Sequence, residues 1–376
     1  MQKKLIALAV ASVLAAPLAA QAGVEVYGQA RMSLDFNSND DTTGGACDTT
    51  PPFTASCEDS ALAVSSNKSR IGFRGDEDLG GGLKALWLIE QNIDLDTNPS
   101  FRGGRDAYMG LDGAFGTVLA GRINTPYKNS TQQLDIFANT RGDYNAIIGM
   151  VGGSPAVTGA NASFNNRFSN SIQYKTPDMS GFKGALAYSV NAVSDNLPQT
   201  TAASETDAYS LSGSFTQGPI FVTAAYEALN SVTAFTPPTA SLDDATAWKI
   251  GGSFTLGGMT TFGAMWESAD LGGTNNDRDA YYLNVAHKMD AITLKAAFTS
   301  ADKVGNLTDS GATQFAVGAS YALSKTTEAY AMYTAVNNDN NAGYAIEGVG
   351  LGETSTGGAA DNSSFSVGLN HTFSSK

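Results

Sequence analysis

VEVYGQARMSLDF, residues 24–36, alternates almost without error. Val24, Val26, Gly28, Ala30, Met32, Leu34 and Phe36 share one parity; Glu25, Tyr27, Gln29, Arg31, Ser33 and Asp35 share the other. Successive side chains of a strand point to opposite faces, so this stretch reads as a strand with one apolar face and one wet face. A soluble sandwich accommodates such a strand. An arginine in the middle of the wet face, however, needs water beside it along the whole length of the element.

The same alternation recurs down the chain. SRIGFRG, LKALWLIE, RDAYMGL, FGTVLAGR, RFSNSIQYKT, FKGALAYSV, YSLSGSF and IFVTAAYE follow in order, and then WKIGGSFTL, TTFGAMWES, YYLNVAHKM, ITLKAAFTS, QFAVGASYAL, TEAYAMYTAV and SSFSVGLNHTF. With the opening stretch these make 16 candidate strands, and helical periodicity is nearly absent. FGTVLAGR and TEAYAMYTAV have apolar residues on both parities, and their faces stay unassigned. The connections fall into two classes. Tight ones carry Gly, Pro, Asp or Ser, as hairpins require. Long polar ones span roughly 37–66, 124–165, 195–206, 231–243 and 339–360.

Residues 1–22 read as a secretory signal peptide. Lys3 and Lys4 precede an apolar run from Leu5 to Leu18, and Ala20-Gln21-Ala22 supplies the cleavage pattern before Gly23. Removing two lysines leaves 20 basic against 36 acidic side chains, a net charge of −16. The acids are scattered and no basic stripe exists, which argues against nucleic acid as a partner. Cys47 and Cys57, in CDTTPPFTASC, are expected to form a disulfide in an exported chain, contributing about 3 kcal/mol in the chain-entropy model. A metal pair would need closer spacing and partner histidines, and no metal or cofactor is implied.

After residue 22 no apolar run is long enough for a transmembrane helix, but a barrel strand needs only about ten alternating residues. Long and short connections alternate along the chain, which separates two ends of one object. Sixteen wet faces need a common destination, and a closed barrel with a watery lumen supplies it without leaving a strand edge in lipid. Residues 23–376 therefore read as one all-β domain: a 16-stranded antiparallel transmembrane barrel with long loops outside and short periplasmic turns. The opening strand closes it against SSFSVGLNHTF. Tyr174, Phe182, Tyr188, Phe254, Trp266, Tyr281 and Tyr321 take the lipid-facing parity.

YGQARMSLDF, SRIGFRGDEDLGGGLKALWLIEQN, RDAYMGLDGAFGTVLAGR and RFSNSIQYKTPDMSGFKGALAY resemble the trimeric porins of Gram-negative outer membranes, up to about Tyr188. Beyond that point the likeness rests on strand rhythm and the final VGLNHTF. The resemblance implies a homotrimer in outer-membrane lipid and lipopolysaccharide, passing small hydrophilic solutes and ions by passive diffusion. It also implies that the third long loop, about Thr125 to Asn166, folds inward and faces a cluster of wall arginines. Arg70, Arg105 and Arg167 match the wall cluster, and Arg74 is a weaker candidate nearer the turn. Arg70 and Arg167 take the wet parity; Arg105 stands opposite Tyr108, which is expected on the lipid side. The loop's acids are Asp135 and Asp143. Two features depart from the family pattern. The loop lacks an acidic Pro-Glu-Phe-Gly-Gly-type segment and carries Lys128 and Arg141, and Ser374-Ser375-Lys376 follow the terminal aromatic Phe373.

The physical case for lumenal arginines is independent of the resemblance, because each would cost a few kcal/mol at the lipid midplane. Two alternatives remain open. An oligosaccharide-selective porin would need an aromatic track on the wet parity, for which Tyr27 and Tyr330 are candidates. A surface adhesion or receptor barrel would work through its loops. Enzyme chemistry is not expected, since the histidines, His287 and His371, lie on the apolar parity near strand ends. DLGGG lacks the lysine and helix of a phosphate loop, and NSNDD and NNDNN lack EF-hand spacing. Arg74-Gly75-Asp76 and Arg141-Gly142-Asp143 are read as chance occurrences of an adhesion tripeptide.

Overall fold

A computed structural model describes residues 23–41, 59–97, 101–150, 164–190, 207–234, 241–272, 276–346 and 360–376. The stretch expected to be a signal peptide, residues 1–22, and both cysteines lie outside them. The strands are β1 (Glu25–Asp41), β2 (Asp59–Ser66), β3 (Arg70–Gly80), β4 (Leu83–Ile93), β5 (Phe101–Gly113), β6 (Gly116–Asn124), β7 (Arg167–Lys175), β8 (Phe182–Ser189) and β9 (Ala208–Gln217). Then come β10 (Ile220–Ala234), β11 (Ser241–Leu256), β12 (Thr260–Asp270), β13 (Asp277–Met289), β14 (Ile292–Ala301), β15 (Ala312–Ala322), β16 (Thr327–Asn338) and β17 (Ala360–Ser374). All pair antiparallel to their chain neighbours, and β1 pairs β17, so the sheet closes.

Seventeen strands make 16 staves, because β2 and β3 both pair β1 end to end. Between them the register slips by one residue: Met32 faces Ser66, but Gln29 faces Arg70. Lys68, at the break, takes a left-handed backbone with φ 55°, a conformation costing a non-glycine residue about 1 kcal/mol. The backbone of Arg31 is satisfied across the gap by Asn67 N–H (3.0 Å) and by the Ser69 hydroxyl.

The greasy parity of β1 points outward, with Phe36 51% exposed, while Gln29, Ser33 and Asp35 are buried on the inside. The seven aromatics expected in lipid are all exposed on the outer surface. Both histidines sit on that surface at the short-turn end, bonded to Thr260 and Thr327. Several loops are shorter than the alternation suggested. The connection expected at 37–66 lies between Asp41 and Asp59, and that expected at 231–243 lies between Ala234 and Ser241, because the strands stand taller than their apolar bands. Long-end connections also occur after Ile93, Asp270 and Ala301.

Two bulges change which face residues take, and the first corrects the expectation for Tyr108. Between β4 and β5 the partners run Ile89↔Ala107 and then Gln91↔Gly104, so one residue is extra in β5. Parity flips there, and Tyr108 faces the lumen together with Arg105 rather than lipid. Between β6 and β7 a second extra residue, with Asn170 at φ 49°, takes Phe168 off the lipid face, and it is 2% exposed under the third loop. The two strands of unassigned parity are explained by contact. Leu119 and Ile123 of β6, and Met332 and Val336 of β16, are apolar residues on the inner face, buried by packing within the barrel.

The tail beyond Phe373 continues the closing seam. Ser375 N–H donates to the Val26 carbonyl (2.9 Å), Val26 N–H donates to the Ser375 hydroxyl (3.0 Å), and the Ser374 hydroxyl donates to Glu25 (2.7 Å). Deleting residues 374–376 is expected to destabilise the barrel by about 1–3 kcal/mol, read as a lower midpoint in denaturant unfolding of the detergent-folded protein.

Candidate pore constriction

The third loop leaves β6 and turns into the lumen. Its first turn is the short helix α1 (Pro126–Ser130), where the Thr125 hydroxyl accepts Lys128 N–H (3.1 Å). Apolar side chains then lay it on the inner wall of β10–β16. Leu134, Phe137, Tyr144, Ile147 and Ile148 pack against Met265, Tyr282, Ala316 and Met332. Leu134 fills a socket over Gly251, where a Cβ would meet its Cδ1 at 2.7 Å, and the Asn284 amide donates to the Leu134 carbonyl (3.0 Å). Gly142 lies close to Met332 and Ala316, where a Cβ would meet Met332 Cε at 2.6 Å and Ala316 Cβ at 3.0 Å, so any side chain would have to displace the methionine tip.

Charged anchors hold both ends. Arg278 and Glu267, each with a fully buried side chain, pair on the wall. Arg278 donates to the carbonyls of Ile147 and Met150, and Glu267 accepts Tyr127 O–H (2.8 Å) and Gly149 N–H (2.9 Å). At the other end the loop reaches the β1–β2 seam. Arg141 bonds Asp35 (3.2 Å) and the Ser65 hydroxyl (3.0 Å), and Arg31 Nη1 donates to the carbonyls of Ala138 (2.7 Å) and Asn139 (3.1 Å). Lys68 Nζ stands 3.5 Å from Asp143. The tripeptide Arg141-Gly142-Asp143, read from sequence as chance, is the loop's dock: one residue pairs with Asp35, one permits close approach, and one meets Lys68.

The wall of β3–β7 carries a basic ladder. Arg70 and Arg105 both reach Glu90, which also accepts Tyr27 O–H (2.9 Å). Arg167 bonds Asp106 (2.7 Å), and Arg122 bonds the Ser169 hydroxyl (2.9 Å). Arg70 feels the charge of Arg105, and Arg167 those of Arg105 and Arg122, so the ladder is continuous. The β5 bulge builds it: the consecutive residues Arg105 and Asp106 both reach lumenal partners. Arg74 is separate. It pairs bidentately with Glu25 (2.8 and 2.9 Å) near the short-turn end and lies over the Tyr27 ring.

Asp135 and Asp143 stand on the loop, as their sequence positions require. Asp135 accepts Phe137 N–H (3.0 Å), and Asp143 accepts the N–H groups of Asn139 and Asn145 (both 2.9 Å). Burial by itself raises the Asp143 carboxyl; Lys68 and the hydrogen bonds outweigh it and hold the group down at about 2. Burial also pushes the Tyr144 phenol well above its ordinary value. Lys68, Glu90, Asp106 and Arg122 were not singled out from sequence. Glu90 was findable as a mid-strand acid on the wet parity of LKALWLIE, whereas Lys68 depends on a break that alternation does not announce.

A family model described as Gram-negative porin matches residues 7–341. The chain belongs to the Gram-negative porin family. That membership places the barrel in the Gram-negative outer membrane. The major outer membrane protein P.IB of Neisseria gonorrhoeae is 31% identical over 190 residues, covering 50% of this chain and 48% of that protein, so the match spans about half of the relative. The anion-selective porin from Comamonas acidovorans superposes with a TM-score of 0.68 at 21% identity, over 94% of this chain and 100% of that one. A trimer form of OmpT from Vibrio cholerae gives 0.60 at 17% identity, over 93% and 99%. These structures share the 16-stave barrel fold with this porin.

Two outcomes follow for the porin's loop. Gly251→Val fills the Leu134 socket and pushes the loop into the aperture, so single-channel conductance falls. The second concerns pH. Asp143 is depressed below the unfolded carboxyl value of about 3.9, so the contribution of its charged form is complete above that value and is lost as pH falls through about 2. Open-channel noise should therefore stay flat from about pH 7 to pH 4, and in Lys68→Met its onset should move to higher pH.

Proposed function

We propose that this porin is a general-diffusion channel with a preference for anions. Small hydrophilic solutes and ions pass down their gradients between the third loop and the basic wall. The observation that carries this reading is the continuous ladder Arg70–Arg105–Arg167 facing a loop held across the lumen. Around the aperture five cations (Arg31, Lys68, Arg70, Arg105 and Arg167) stand against four carboxylates (Glu90, Asp106, Asp135 and Asp143). Charged side chains lining a pore select by sign, and opposed charges set up a transverse field that favours polar solutes. The description of the Comamonas porin as anion-selective agrees in sign. Arg74, already neutralised by Glu25, is assigned to the seam instead of the aperture.

The family resemblance and the Vibrio trimer form support a homotrimer in outer-membrane lipid and lipopolysaccharide. A signal peptide at 1–22 and a Cys47–Cys57 disulfide belong to the same reading of an exported chain. The lumenal aromatics do not favour a sugar track. Tyr27 is tied to Glu90, and Tyr330 lies on β16, separated from β1 by β17.

Planar-bilayer recording tests the proposal. Openings are expected in groups of three with no block by sugars, and a folded barrel with no conductance would refute the channel. Arg70→Ala and Arg167→Ala should each lower the anion-to-cation permeability ratio by roughly a factor of two to five, read from the reversal potential. Unchanged selectivity in both would remove the ladder from the mechanism.

A further inference from the structure

Apart from the basic ladder, the lumen holds a second polar site. Between the third loop and the inner faces of β14–β16 and β1 lies a niche of about 170 Å³, lined by Arg31, Asp135, Lys295, Ser320, Glu328 and Tyr330. Glu328 is the second residue of β16 and Lys295 the fourth of β14, so the niche sits in the short-turn half of the barrel.

Two of its charges, Lys295 and Glu328, are placed but not paired. Lys295 and Glu328 are close enough to feel each other's charge. Among the described residues, neither has a hydrogen-bond or ion-pair partner. Arg31 gives Nη1 to the loop carbonyls, yet its Nε is buried with no partner. Two cations, Arg31 and Lys295, thus share the cavity with the carboxyl groups of Asp135 and Glu328. A simple anion or a simple cation entering here meets repulsion along with attraction. A molecule carrying both charges meets a partner at each end.

We propose that the niche binds small zwitterions bearing one carboxylate and one ammonium group, of the size of a free α-amino acid. The carboxylate accepts from the Lys295 ammonium beside the positive charge of Arg31, and the solute's ammonium donates to Glu328. This deepens the diffusion reading and rests on it only for how the solute reaches the site.

The test is saturation-transfer NMR with L-alanine on the full chain folded in detergent micelles, a readout that needs no conduction. Transfer to the alanine methyl is expected. It should fall about tenfold in Lys295→Met and in Glu328→Gln, the loss of one charge-assisted contact, and survive in Lys295→Arg. Acetate, methylammonium and glycerol, each offered alone, should show little transfer. Circular dichroism and heat stability establish that each variant is a folded barrel. No transfer in the wild type would overturn the proposal, as would transfer that survives both neutralising variants or is matched by the single ions. Alanine binding without conductance would count against the channel alone. Conductance without alanine binding would count against the niche alone.

Discussion

In lipid, every backbone N–H and C=O must be paired within the protein, and the rest of this structure depends on that constraint. It closes the sheet, β1 against β17, and dictates where irregularity is tolerated. The ladder from β11 through β17 runs without a register shift. The slips at Lys68, at Arg105–Asp106 and at Asn170 lie on β2–β7. There the neighbouring side chains repair the ladder, as Ser69 does for the backbone of Arg31. The regular half of the wall is the bed for the third loop, and the irregular half carries the ladder of arginines.

The loop is held by two kinds of contact with different roles. Burial of Leu134, Tyr144, Ile147 and Ile148 against Met265, Tyr282 and Met332 supplies the non-directional part of its docking energy. The buried charges supply position. Glu227, Glu267, Lys249 and Arg278, all at most 3% exposed, cluster behind the loop's root, with Glu267 paired to Arg278. Arg141 pairs with Asp35 at its far end. Buried ion pairs often add little net stability, but breaking one strands the other charge, so they penalise every alternative placement of the loop. The aperture is the space this docking leaves open. Its charge follows from which arginine is neutralised in docking the loop, Arg141, and which remain on the wall.

Strand alternation exposed most of the fold. A period of two is local, and a one-residue error exchanges lipid for water along a whole strand, so the pattern had to be nearly faultless to be stable. For that reason the 16 staves, the closing pair, the outer aromatics and the lumenal parity of Gln29, Arg31, Arg70 and Arg167 were legible before any coordinates. Alternation failed where its assumptions did. It presumes that an apolar residue faces lipid, which Phe168 and Met332 do not, because a loop covers them. It presumes an unbroken count, which the bulge beside Arg105 interrupts, and so Tyr108 was placed on the wrong face.

The sequence by itself determined that this protein is a closed barrel with a wet interior and that its wall arginines belong to the lumen; the inward third loop was implied by the family resemblance. Tertiary structure alone decided how those charges are shared. Arg70 and Arg105 converge on Glu90, Arg74 is drawn to Glu25 at the seam, and Arg-Gly-Asp at 141–143 becomes the loop's dock. The physical reason is range. Alternation is a property of adjacent residues on one strand. The pairing of Arg141 with Asp35, 106 residues earlier, exists only once the sheet has closed and the loop has folded across it.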